Sequence, residues 1–255
     1  MSVTFDFTGK TVLVTGASSG IGYGIAEGFA RAGANLIILS ETEAIYDAAE
    51  SLPGKVRAIR CDIADAAMVT EALADIERVD VLVNNAGLER PTPLNGANPL
   101  GNATFERIVA INITGTQNVT DALISRIPEG GRILNTASIW ARTAVPGFSA
   151  YVASKHALLG LTRTWAQELG PRGIRVNAIC PGWVKTGPAA NSLRELAESS
   201  GRSEAEVEAE IMAAQAIDGL MVPADMADPY MFLASEAGAN ITGQALNVDR
   251  GEVMS

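Results

Sequence analysis

Tyr151 and Lys155 are a pair of side chains whose types and spacing are suited to acid–base chemistry. They lie in a helical pattern, and a spacing of four residues places the phenol and the ammonium on one helix face. A free tyrosine has a pKa of about 10, and a neighbouring cation favours the phenolate. The pair therefore predicts a base for an alcohol proton near neutral pH, although Tyr-x-x-x-Lys alone is a weak motif that also arises by chance.

A glycine-rich turn near the N-terminus predicts nucleotide binding. Gly16, Gly20 and Gly22 stand between an apolar β-branched run and a helical pattern, together with Ser18, Ser19 and Ile21. Glycines at a strand–turn–helix junction allow a tight turn and a close approach of the backbone to a pyrophosphate. The N–H groups and the positive dipole end of the following helix then face the phosphates.

The end of the second predicted strand bears on which dinucleotide is bound. Ser40 and Glu41 stand where a carboxylate usually binds the ribose hydroxyls of NAD, whereas an Arg or Lys accepts the extra phosphate of NADP. No cation occurs between Ser40 and Glu50, so a 2′-phosphate would face Glu41 and Glu43 without compensation. The sequence predicts NAD, with NADP the lesser alternative. A second reading remains open, in which Ser40 binds either cofactor and the glutamates point into solvent.

Asp62 and Ile63 end the third predicted strand. A carboxylate there can accept a hydrogen bond from the adenine amino group, or it can belong to the cap of the helix that begins after Asp65. The pattern does not choose between these two interpretations.

These residues must be positioned by an alternation of strands and helices. Short β-branched and apolar runs alternate with longer helical patterns, which favours βαβ units and a parallel sheet covered on both faces. The prediction is an α/β, single-domain Rossmann-type doubly wound parallel sheet of about seven strands, with residues 1–255 as one domain. Strands are predicted at 11–15, 36–39, 56–60, 79–83, 132–137, 175–179 and 245–248, and helices include 21–31, 68–76, 105–126 and 151–169.

Further residues complete a recognisable pattern. Asn84, Asn85, Ala86 and Gly87 end the fourth strand, Ser138 ends the fifth, and Asn112 lies in the helix between them. Together with the glycine-rich turn, Asp62, Tyr151 and Lys155, and with Asn177 followed by Pro181-Gly182, the sequence resembles the short-chain dehydrogenase/reductase family in its single-domain branch. The resemblance covers essentially the whole chain, and the combination of motifs is highly specific.

The resemblance implies a role for each matching residue. Tyr151 would be the general acid/base, Lys155 would lower its pKa and bind the nicotinamide ribose, and Ser138 would stabilise charge on the substrate oxygen. Asn112 would hold a water that passes the proton toward solvent. Asn84 and Asn85 would shape the strand end beside the cofactor. The nicotinamide amide and the pyrophosphate would be lined by Pro181, Gly182, Val184 and Thr186. The activity implied is hydride transfer between a nicotinamide cofactor and a secondary alcohol or ketone.

The substrate is less well determined by the sequence. Candidate pocket residues are Glu89, Trp140, Arg142, Phe148 and Trp183, which mix apolar walls with charged groups. Glu89 would accept hydrogen bonds from the hydroxyls of a sugar or polyol, whereas Arg142 would fix a carboxylate. A third interpretation leaves these charges on a solvated rim. The expectation is a small sugar- or polyol-like alcohol.

Residues 187–219 interrupt the strand–helix rhythm. They are rich in Ala and Glu, helical in pattern and only weakly amphipathic, with a break at Ser199-Ser200-Gly201. A solvated surface helix and a mobile lid over the active site both fit this composition, and the position in the chain favours the lid.

Composition limits the partners. A formal net charge of −10 disfavours nucleic acid as a partner. No apolar run is long enough to span a bilayer, and the N-terminus lacks the pattern of a signal peptide. Two separated cysteines and one histidine offer no metal cluster. We therefore expect a cytoplasmic enzyme without a metal that acts on a small-molecule substrate.

Assembly is expected by analogy with the family. The resemblance implies a homotetramer formed through the helices that begin near Phe105 and Tyr151. Arg250 follows Asp249 where such proteins commonly have glycine. That departure affects the local backbone and the details of assembly, but not the predicted chemistry.

Two other functions remain in view. One is an NADP-dependent ketoreductase acting on acyl or hydroxy-acid substrates, the acyl chain being attached to an acidic carrier protein. Such an enzyme should present more basic residues near the site than Arg90 and Arg142. The other is a nucleotide-sensing protein without catalysis, which should lack Tyr151 or Lys155.

Overall fold

The computed structural model describes residues 3–94 and 102–254, which contain one parallel β-sheet. Its strands are β1 (Thr11–Thr15), β2 (Asn35–Ser40), β3 (Val56–Arg60), β4 (Val81–Asn84), β5 (Arg132–Thr136), β6 (Arg175–Pro181) and β7 (Ala245–Val248). The strands lie in the order β3-β2-β1-β4-β5-β6-β7, and every neighbouring pair is parallel. The predicted doubly wound sheet is confirmed. Because the chain order reverses between β1 and β4, a crevice is expected at their carboxyl ends.

Helices cover both faces of the sheet. They are α1 (Gly20–Arg31), α2 (Ala44–Ser51), α3 (Ala66–Ala72), α4 (Asn102–Val109), α5 (Thr116–Leu123), α6 (Ser149–Leu169), α7 (Gly187–Ser200), α8 (Glu204–Ala214) and α9 (Ala227–Ala234). Val12 and Val14 of β1 belong to the core that includes Phe29 of α1 and Tyr230 of α9. Leu13, between those valines, belongs to the opposite core with Trp165 of α6. Burial on both sides explains why the strands are continuously apolar.

The helix predicted over residues 105–126 is not continuous. A π-helical turn, Ala110–Gly115, separates α4 from α5, and a 3₁₀ turn, Ile124–Arg126, follows α5. Within the π-helical turn, Asn112 is hydrogen-bonded to the backbone of Leu88. A Cβ on Gly115 would come within 2.6 Å of the Ile63 side chain, so the close approach here requires glycine. Such turns recur at functional sites.

The start of α3 is set by a cap rather than by apolar periodicity. Asp65 accepts hydrogen bonds from the N–H groups of Ala67 and Met68, both at 3.0 Å, so the helix begins at Ala66 rather than at the predicted residue 68. It ends at Ala72 instead of continuing to residue 76. Leu73 and Ile76 are buried beyond that end, which is why the apolar pattern extends further than the helix.

The α7–α8 segment, residues 187–219, contains two helices on the surface. The predicted break is present, because Gly201 adopts a left-handed φ of +68° at the end of α7 and Ser203 caps α8 in a capping box with Glu206. In these two helices the buried residues are Ser192, Ala197 and Val207. The segment is therefore attached to the rest of the protein by little apolar burial.

Two properties of residues 3–94 and 102–254 bear on membranes and metals. No helix in these ranges is both long enough and apolar enough to cross a membrane. In the same ranges no three His, Cys, Asp or Glu side chains form a group that could hold a metal ion.

Candidate active site

A cavity of about 450 Å³ lies at the carboxyl ends of the strands, where the strand order reverses. It is lined by the segments that follow β1 to β6 and by the start of α7. The fold thus gathers side chains from most of the chain. The predicted cofactor and catalytic residues found in the lining are Gly16, Ser18, Ser19, Gly20, Ile21, Gly22, Ser40, Glu41, Asp62, Ile63, Asn85, Ala86, Gly87, Ser138, Tyr151, Lys155, Pro181, Gly182, Val184 and Thr186.

The glycine-rich turn is built to accept a phosphate group. Gly16 and Gly20 have φ angles of +66° and +59°, which favour glycine. A Cβ on Gly22 would lie 2.3 Å from the Gly16 carbonyl oxygen. Ser19, the N-cap of α1, makes no side-chain cap hydrogen bond, so the first N–H groups of the helix are directed to the cavity without a capping side chain. This open helix N-terminus fits the pyrophosphate of a dinucleotide.

The adenosine end of the cavity holds two carboxylates and one cation. Glu41 follows β2 and Asp62 follows β3, and both line the cavity together with Arg107 of α4. The Arg107 Nη2 atom lies 3.1 Å from Glu41 Oε2 and 2.8 Å from Asp62 Oδ2. The sequence argument that a 2′-phosphate would meet no compensating cation is therefore wrong, because the fold brings Arg107 from a distant helix.

Asp62 has a place in the cavity as well as a bond to the backbone. Its Oδ1 accepts a hydrogen bond from the N–H of Ala64 at 3.0 Å, while Oδ2 faces Arg107. The cap of α3 is Asp65. Of the two interpretations of Asp62, the geometry is consistent with a contact to the adenine, since the carboxylate lines the cavity.

Lys155 is held in place by the core. It is buried, and its Nζ donates a hydrogen bond to the Thr136 carbonyl oxygen at 2.7 Å. The Thr136 hydroxyl is in turn 2.7 Å from the hydroxyl of the buried Tyr230. Burial lowers the pKa of Lys155 to about 8, against the opposing effect of Glu89. Its charge is therefore sensitive to pH just above neutrality.

Tyr151 is surrounded by groups that act on its proton. The Lys155 Nζ lies 5.4 Å from the centroid of the Tyr151 ring. Burial raises the pKa of Tyr151 well above its usual value, the negative charge of Glu89 raises it further, and the hydrogen bond with Ser138 lowers it. The phenol thus lies where Lys155, Ser138 and Glu89 act on its proton, and it is placed to exchange that proton with a substrate oxygen.

Asn112 fixes the loop that follows β4. Its Oδ1 accepts a hydrogen bond from the Leu88 N–H at 2.7 Å, and its Nδ2 donates to the Leu88 carbonyl at 3.0 Å and to Ser154 Oγ at 2.9 Å. The residue after Leu88 is Glu89. The amide of Asn112 thus sets where Glu89 enters the cavity, a structural role separate from the proton relay that the family resemblance implies.

Glu89 lies in the cavity and is bonded to the α7–α8 segment. Its Oε1 accepts a hydrogen bond from the hydroxyl of the buried Ser192 of α7. Burial raises the pKa of Glu89, while Ser192 and the charge of Lys155 lower it. A partly buried carboxylate that accepts one hydroxyl donor has further lone pairs with which to accept others.

An aromatic wall stands beside Tyr151. The Trp140 ring centroid is 5.8 Å from that of Tyr151, 5.4 Å from that of Phe148 and 6.2 Å from that of Trp183. Trp140 and Trp183 line the cavity. The substrate end therefore combines broad apolar faces with the carboxylate of Glu89.

Comparison with known proteins gives the same assignment along the whole chain. A family model described as Enoyl-(Acyl carrier protein) reductase matches residues 16–252. The chain is 38% identical to "Oxidoreductase UcpA" of Salmonella typhimurium over 97% of this chain and 95% of that protein. It is 33% identical to "3-oxoacyl-[acyl-carrier-protein] reductase FabG" of Thermotoga maritima, over 96% of this chain and 98% of that one. A solved structure from Brucella melitensis, "Short-chain dehydrogenase/reductase SDR:Glucose/ribitol dehydrogenase", superposes with a TM-score of 0.87 at 28% identity, covering 99% of this chain and all of that one.

The chain belongs to the short-chain dehydrogenase/reductase family. It is an oxidoreductase that uses a nicotinamide cofactor, NAD or NADP, on CH–OH groups.

Four predicted site residues of this short-chain dehydrogenase/reductase do not line the cavity, and one of them is the buried Asn112 described above. Asn84 is buried, with its Nδ2 bonded to Thr120 and Asn135, so its side chain supports the end of β4 without lining the cavity. Phe148 is buried behind Trp140 and supports the wall without lining it. Arg142 donates a hydrogen bond to the Ala245 carbonyl at 2.6 Å, so the guanidinium that was expected to fix a carboxylate is directed to β7.

Arg107, Thr136 and Ser192 are functional positions of this dehydrogenase that the sequence pattern does not reveal. Arg107 lies in a helix whose polar face looks ordinary, and its two partners are 66 and 45 residues away. Thr136 acts through its backbone carbonyl, which carries no residue signature. Ser192 is one of several serines in the α7–α8 segment, and it is set apart by burial.

Proposed function

We propose that this short-chain dehydrogenase/reductase is an NAD-dependent enzyme that interconverts a sugar- or polyol-like secondary alcohol and its ketone. The observation that carries the proposal is Glu89, a partly buried carboxylate in the cavity beside Tyr151 and Lys155.

The substrate class follows from what Glu89 and the aromatic wall select. A buried carboxylate costs free energy unless hydrogen-bond donors satisfy it. Ser192 supplies one donor, and the vicinal hydroxyls of a polyol supply more. The rings of Trp140 and Trp183 offer apolar faces to the C–H side of the same molecule. The name of the Brucella protein, a glucose/ribitol dehydrogenase, is in keeping with this substrate class.

A hydroxy acid is less well matched to the cavity. Among the described lining residues the cations are Lys155 and Arg107, and Arg107 lies at the adenosine end with Glu41 and Asp62. Residues 95–101 carry no charged side chain. A substrate carboxylate would therefore share its end of the cavity with Glu89, and like charges in a buried site repel.

The reacting groups of the chain have separate roles in this proposal. Ser138 donates a hydrogen bond to the substrate oxygen and stabilises the charge that develops there. In reduction the Tyr151 hydroxyl gives its proton to that oxygen, and in oxidation the phenolate takes the alcohol proton. Lys155 holds a positive charge near the ring and binds the nicotinamide ribose. The nicotinamide ring, when bound, donates or accepts the hydride.

The choice of NAD rests on Glu41. It stands at the carboxyl end of β2 in the cavity, where a carboxylate accepts hydrogen bonds from both ribose hydroxyls of NAD. Because Glu41 also pairs with Arg107, the cation is already engaged. A 2′-phosphate would have to displace that contact.

The competing function is a ketoreductase for acyl groups on a carrier protein. The description of the family model and the name of the Thermotoga relative favour it. A carrier protein is acidic, however, and this chain has a formal net charge of −10, so the two would repel each other over much of their surfaces. Neither Arg90 nor Arg142 lines the cavity.

The deciding experiment measures NADH formation at 340 nm with a panel of polyols, sugars, hydroxy acids and 3-hydroxyacyl thioesters. Wild type and Tyr151→Phe are compared side by side. We expect turnover with a polyol or sugar, reduced by about 10²–10⁴-fold in Tyr151→Phe, while both proteins bind NADH alike. Turnover with hydroxy acids or thioesters alone would refute the substrate class. Undiminished turnover in Tyr151→Phe would refute the mechanism.

We further propose that the enzyme is a cytoplasmic homotetramer. Phe105, Phe232 and Leu246 are large apolar residues that are more than a third exposed in a single chain, and subunit contacts would cover them. Cys61 and Cys180 are buried and not bonded to each other, which suits a reducing compartment. Light scattering that gives the mass of a monomer would contradict the assembly.

A further inference from the structure

We propose that Arg107 is a specificity-determining residue of the cofactor site: paired with Glu41 it leaves the site selective for NAD, and released from Glu41 it binds the 2′-phosphate of NADP. This inference rests on the proposed function in that a dinucleotide occupies the cavity and that NAD is preferred over NADP. It does not depend on the substrate.

The geometry places one guanidinium between two strand ends. Arg107 reaches from α4 across the carboxyl ends of β2 and β3, and its Nη2 contacts Glu41 Oε2 at 3.1 Å and Asp62 Oδ2 at 2.8 Å. All three side chains line the cavity. The Arg107 guanidinium therefore lies beside Glu41, the carboxylate that would bind the hydroxyls of the adenosine ribose.

The guanidinium has hydrogen-bonding capacity left. Both contacts use Nη2, and within residues 3–94 and 102–254 no hydrogen bond is made by Nε or Nη1 of Arg107. The side chain is 39% exposed, so it can turn. Its pKa is raised by Asp62 first and then by Glu41, so the positive charge is permanent. A planar guanidinium with free donors is well suited to bind a phosphate through two hydrogen bonds.

The charges explain why Glu41 decides the outcome. Arg107, Glu41 and Asp62 carry one positive and two negative charges, so the cluster repels an additional dianionic phosphate. Replacing Glu41 by glutamine removes one negative charge and the contact that competes for Nη2. Asp62 still holds Arg107 beside the ribose position. The neutralised cluster then offers a cation to a 2′-phosphate.

Arg60 provides a matched control in the same neighbourhood. Its Nε donates to the Glu41 carbonyl at 3.1 Å and its Nη1 to Glu43 Oε1 at 3.0 Å. It is a second cation beside the end of β2, but it does not line the cavity. An effect of net charge alone would appear equally in Arg60→Gln and Arg107→Gln.

The test is a direct measurement of binding. Dissociation constants for NADH and NADPH, and for the fragments 5′-AMP and 2′,5′-ADP, are determined by calorimetry. The proteins compared are wild type, Glu41→Gln, Arg107→Gln, the double variant and Arg60→Gln.

We expect Glu41→Gln to bind NADPH and 2′,5′-ADP about tenfold more tightly than wild type, in line with one charge-assisted phosphate contact. The double variant should lose that gain, and higher salt should reduce it. Arg60→Gln should stay within about twofold of wild type, because its charge is more distant and screened.

Two results would overturn the proposal. In one, the double variant binds NADPH as tightly as Glu41→Gln, so that Arg107 is not the ligand. In the other, Arg60→Gln and Arg107→Gln change the ratio of the two affinities equally, so that general charge is responsible. If wild type binds neither dinucleotide nor fragment, the proposed function falls together with this inference, whereas inactivity toward polyols with NADH bound touches only the substrate class.

Discussion

The two sides of the cavity differ in how they are attached to the protein. On one side, Ser138 follows β5 and Lys155 lies on α6, a helix in which eight residues are buried. On the other side, the α7–α8 segment buries three residues in its two helices. The Glu89–Ser192 hydrogen bond joins the segment to the residues around Tyr151. The groups proposed to perform the reaction are thus fixed by the core, whereas Ser192, which is hydrogen-bonded to Glu89, belongs to a weakly packed surface layer.

The difference suggests a division between rate and recognition. A change on the core side should lower kcat, because those residues act on the developing charge and on the proton. A change on the α7–α8 side should act on KM, because Ser192 holds Glu89, the carboxylate proposed to bind the hydroxyls of the substrate. The following predictions test this division, in order of decreasing effect.

The largest effect in this comparison is expected for Ser138→Ala. The hydroxyl accepts a hydrogen bond from the Trp140 N–H at 3.1 Å, so its own proton is directed to the place where Tyr151 and the substrate oxygen meet. Loss of such a donor lowers kcat by about 10²–10³-fold, with KM almost unchanged. Steady-state kinetics with an active polyol measures both constants. Equal affinity for NADH in wild type and variant is the control, and a change confined to KM would contradict the division.

Glu89→Gln is expected to change both recognition and the pH profile. Alcohol oxidation needs the Tyr151 phenolate, so the rate rises with pH as that phenol ionises. The charge of Glu89 raises the pKa of Tyr151, and its removal lowers that pKa. The rising limb of kcat against pH should therefore move to lower pH, while kcat/KM falls about tenfold through the lost charged acceptor.

The control for this variant is Glu195→Gln. Glu195 is a second carboxylate on α7, and its pKa is also raised by burial, but it is not among the groups that act on Tyr151. Replacing Glu195 by glutamine should leave the rising limb of kcat against pH at the same pH as in wild type. A limb that moves to higher pH in Glu89→Gln would show that this account of the site is wrong.

Ser192→Ala should have a smaller effect, on KM. It removes the hydrogen bond between α7 and Glu89, and we expect KM to rise about three- to tenfold, which corresponds to about 1 kcal/mol for one net hydrogen bond. The value of kcat should stay close to that of wild type. Ser199→Ala is the matched control, since Ser199 is an exposed serine of the same helix that bonds to the Leu196 carbonyl. A decrease in kcat alone would indicate that α7 positions the reacting groups.

The smallest effect is expected at Glu252, in the turn after β7. Burial raises the pKa of Glu252 to about 7, with a further contribution from Asp249. The folded protein then holds a proton that the unfolded chain releases between pH 4.5 and about 7, so the free energy of unfolding decreases as pH rises through that window. In Glu252→Gln, the decrease in Tm between pH 5 and pH 8 should be smaller than in wild type. Glu208→Gln, at an exposed position of α8, should behave like wild type, and an unchanged Tm difference in Glu252→Gln would contradict the account.

Local patterns predict the parts of the fold that depend on local physics. β1, β3 and β7 begin and end at the predicted residues. For β1 this follows because a strand buried on both faces needs apolar residues along most of its length. The break after α7 follows from Gly201, which tolerates a left-handed backbone. The π-helical turn around Asn112 has no such signature, since it depends on contacts with Leu88 and Ile63.

The site shows the same limit. The chemistry of Tyr151, Lys155 and Ser138 follows from residue type and spacing, because the reaction restricts which side chains can perform it. The direction of Arg142 toward β7 and the arrival of Arg107 beside Glu41 depend on packing between distant elements. The residues that follow Ser40 in the sequence therefore do not indicate that Arg107 compensates the negative charge at the adenosine end of the cavity.

The α7–α8 segment leaves and rejoins the sheet at one point. Val184 and Met221 form a parallel β-bridge, and the Lys185 N–H donates to the Met221 carbonyl at 2.8 Å. Arg250 adopts a left-handed conformation at φ +56°. Its carbonyl oxygen accepts hydrogen bonds from the N–H groups of Ala216 and Ile217. Since both ends of the excursion are fixed side by side, its length and composition can vary with little entropic cost to the rest of the chain. The α7–α8 segment could therefore be exchanged as a unit. Replacing it with the corresponding segment of a relative is a route to new substrates while the catalytic residues stay unchanged.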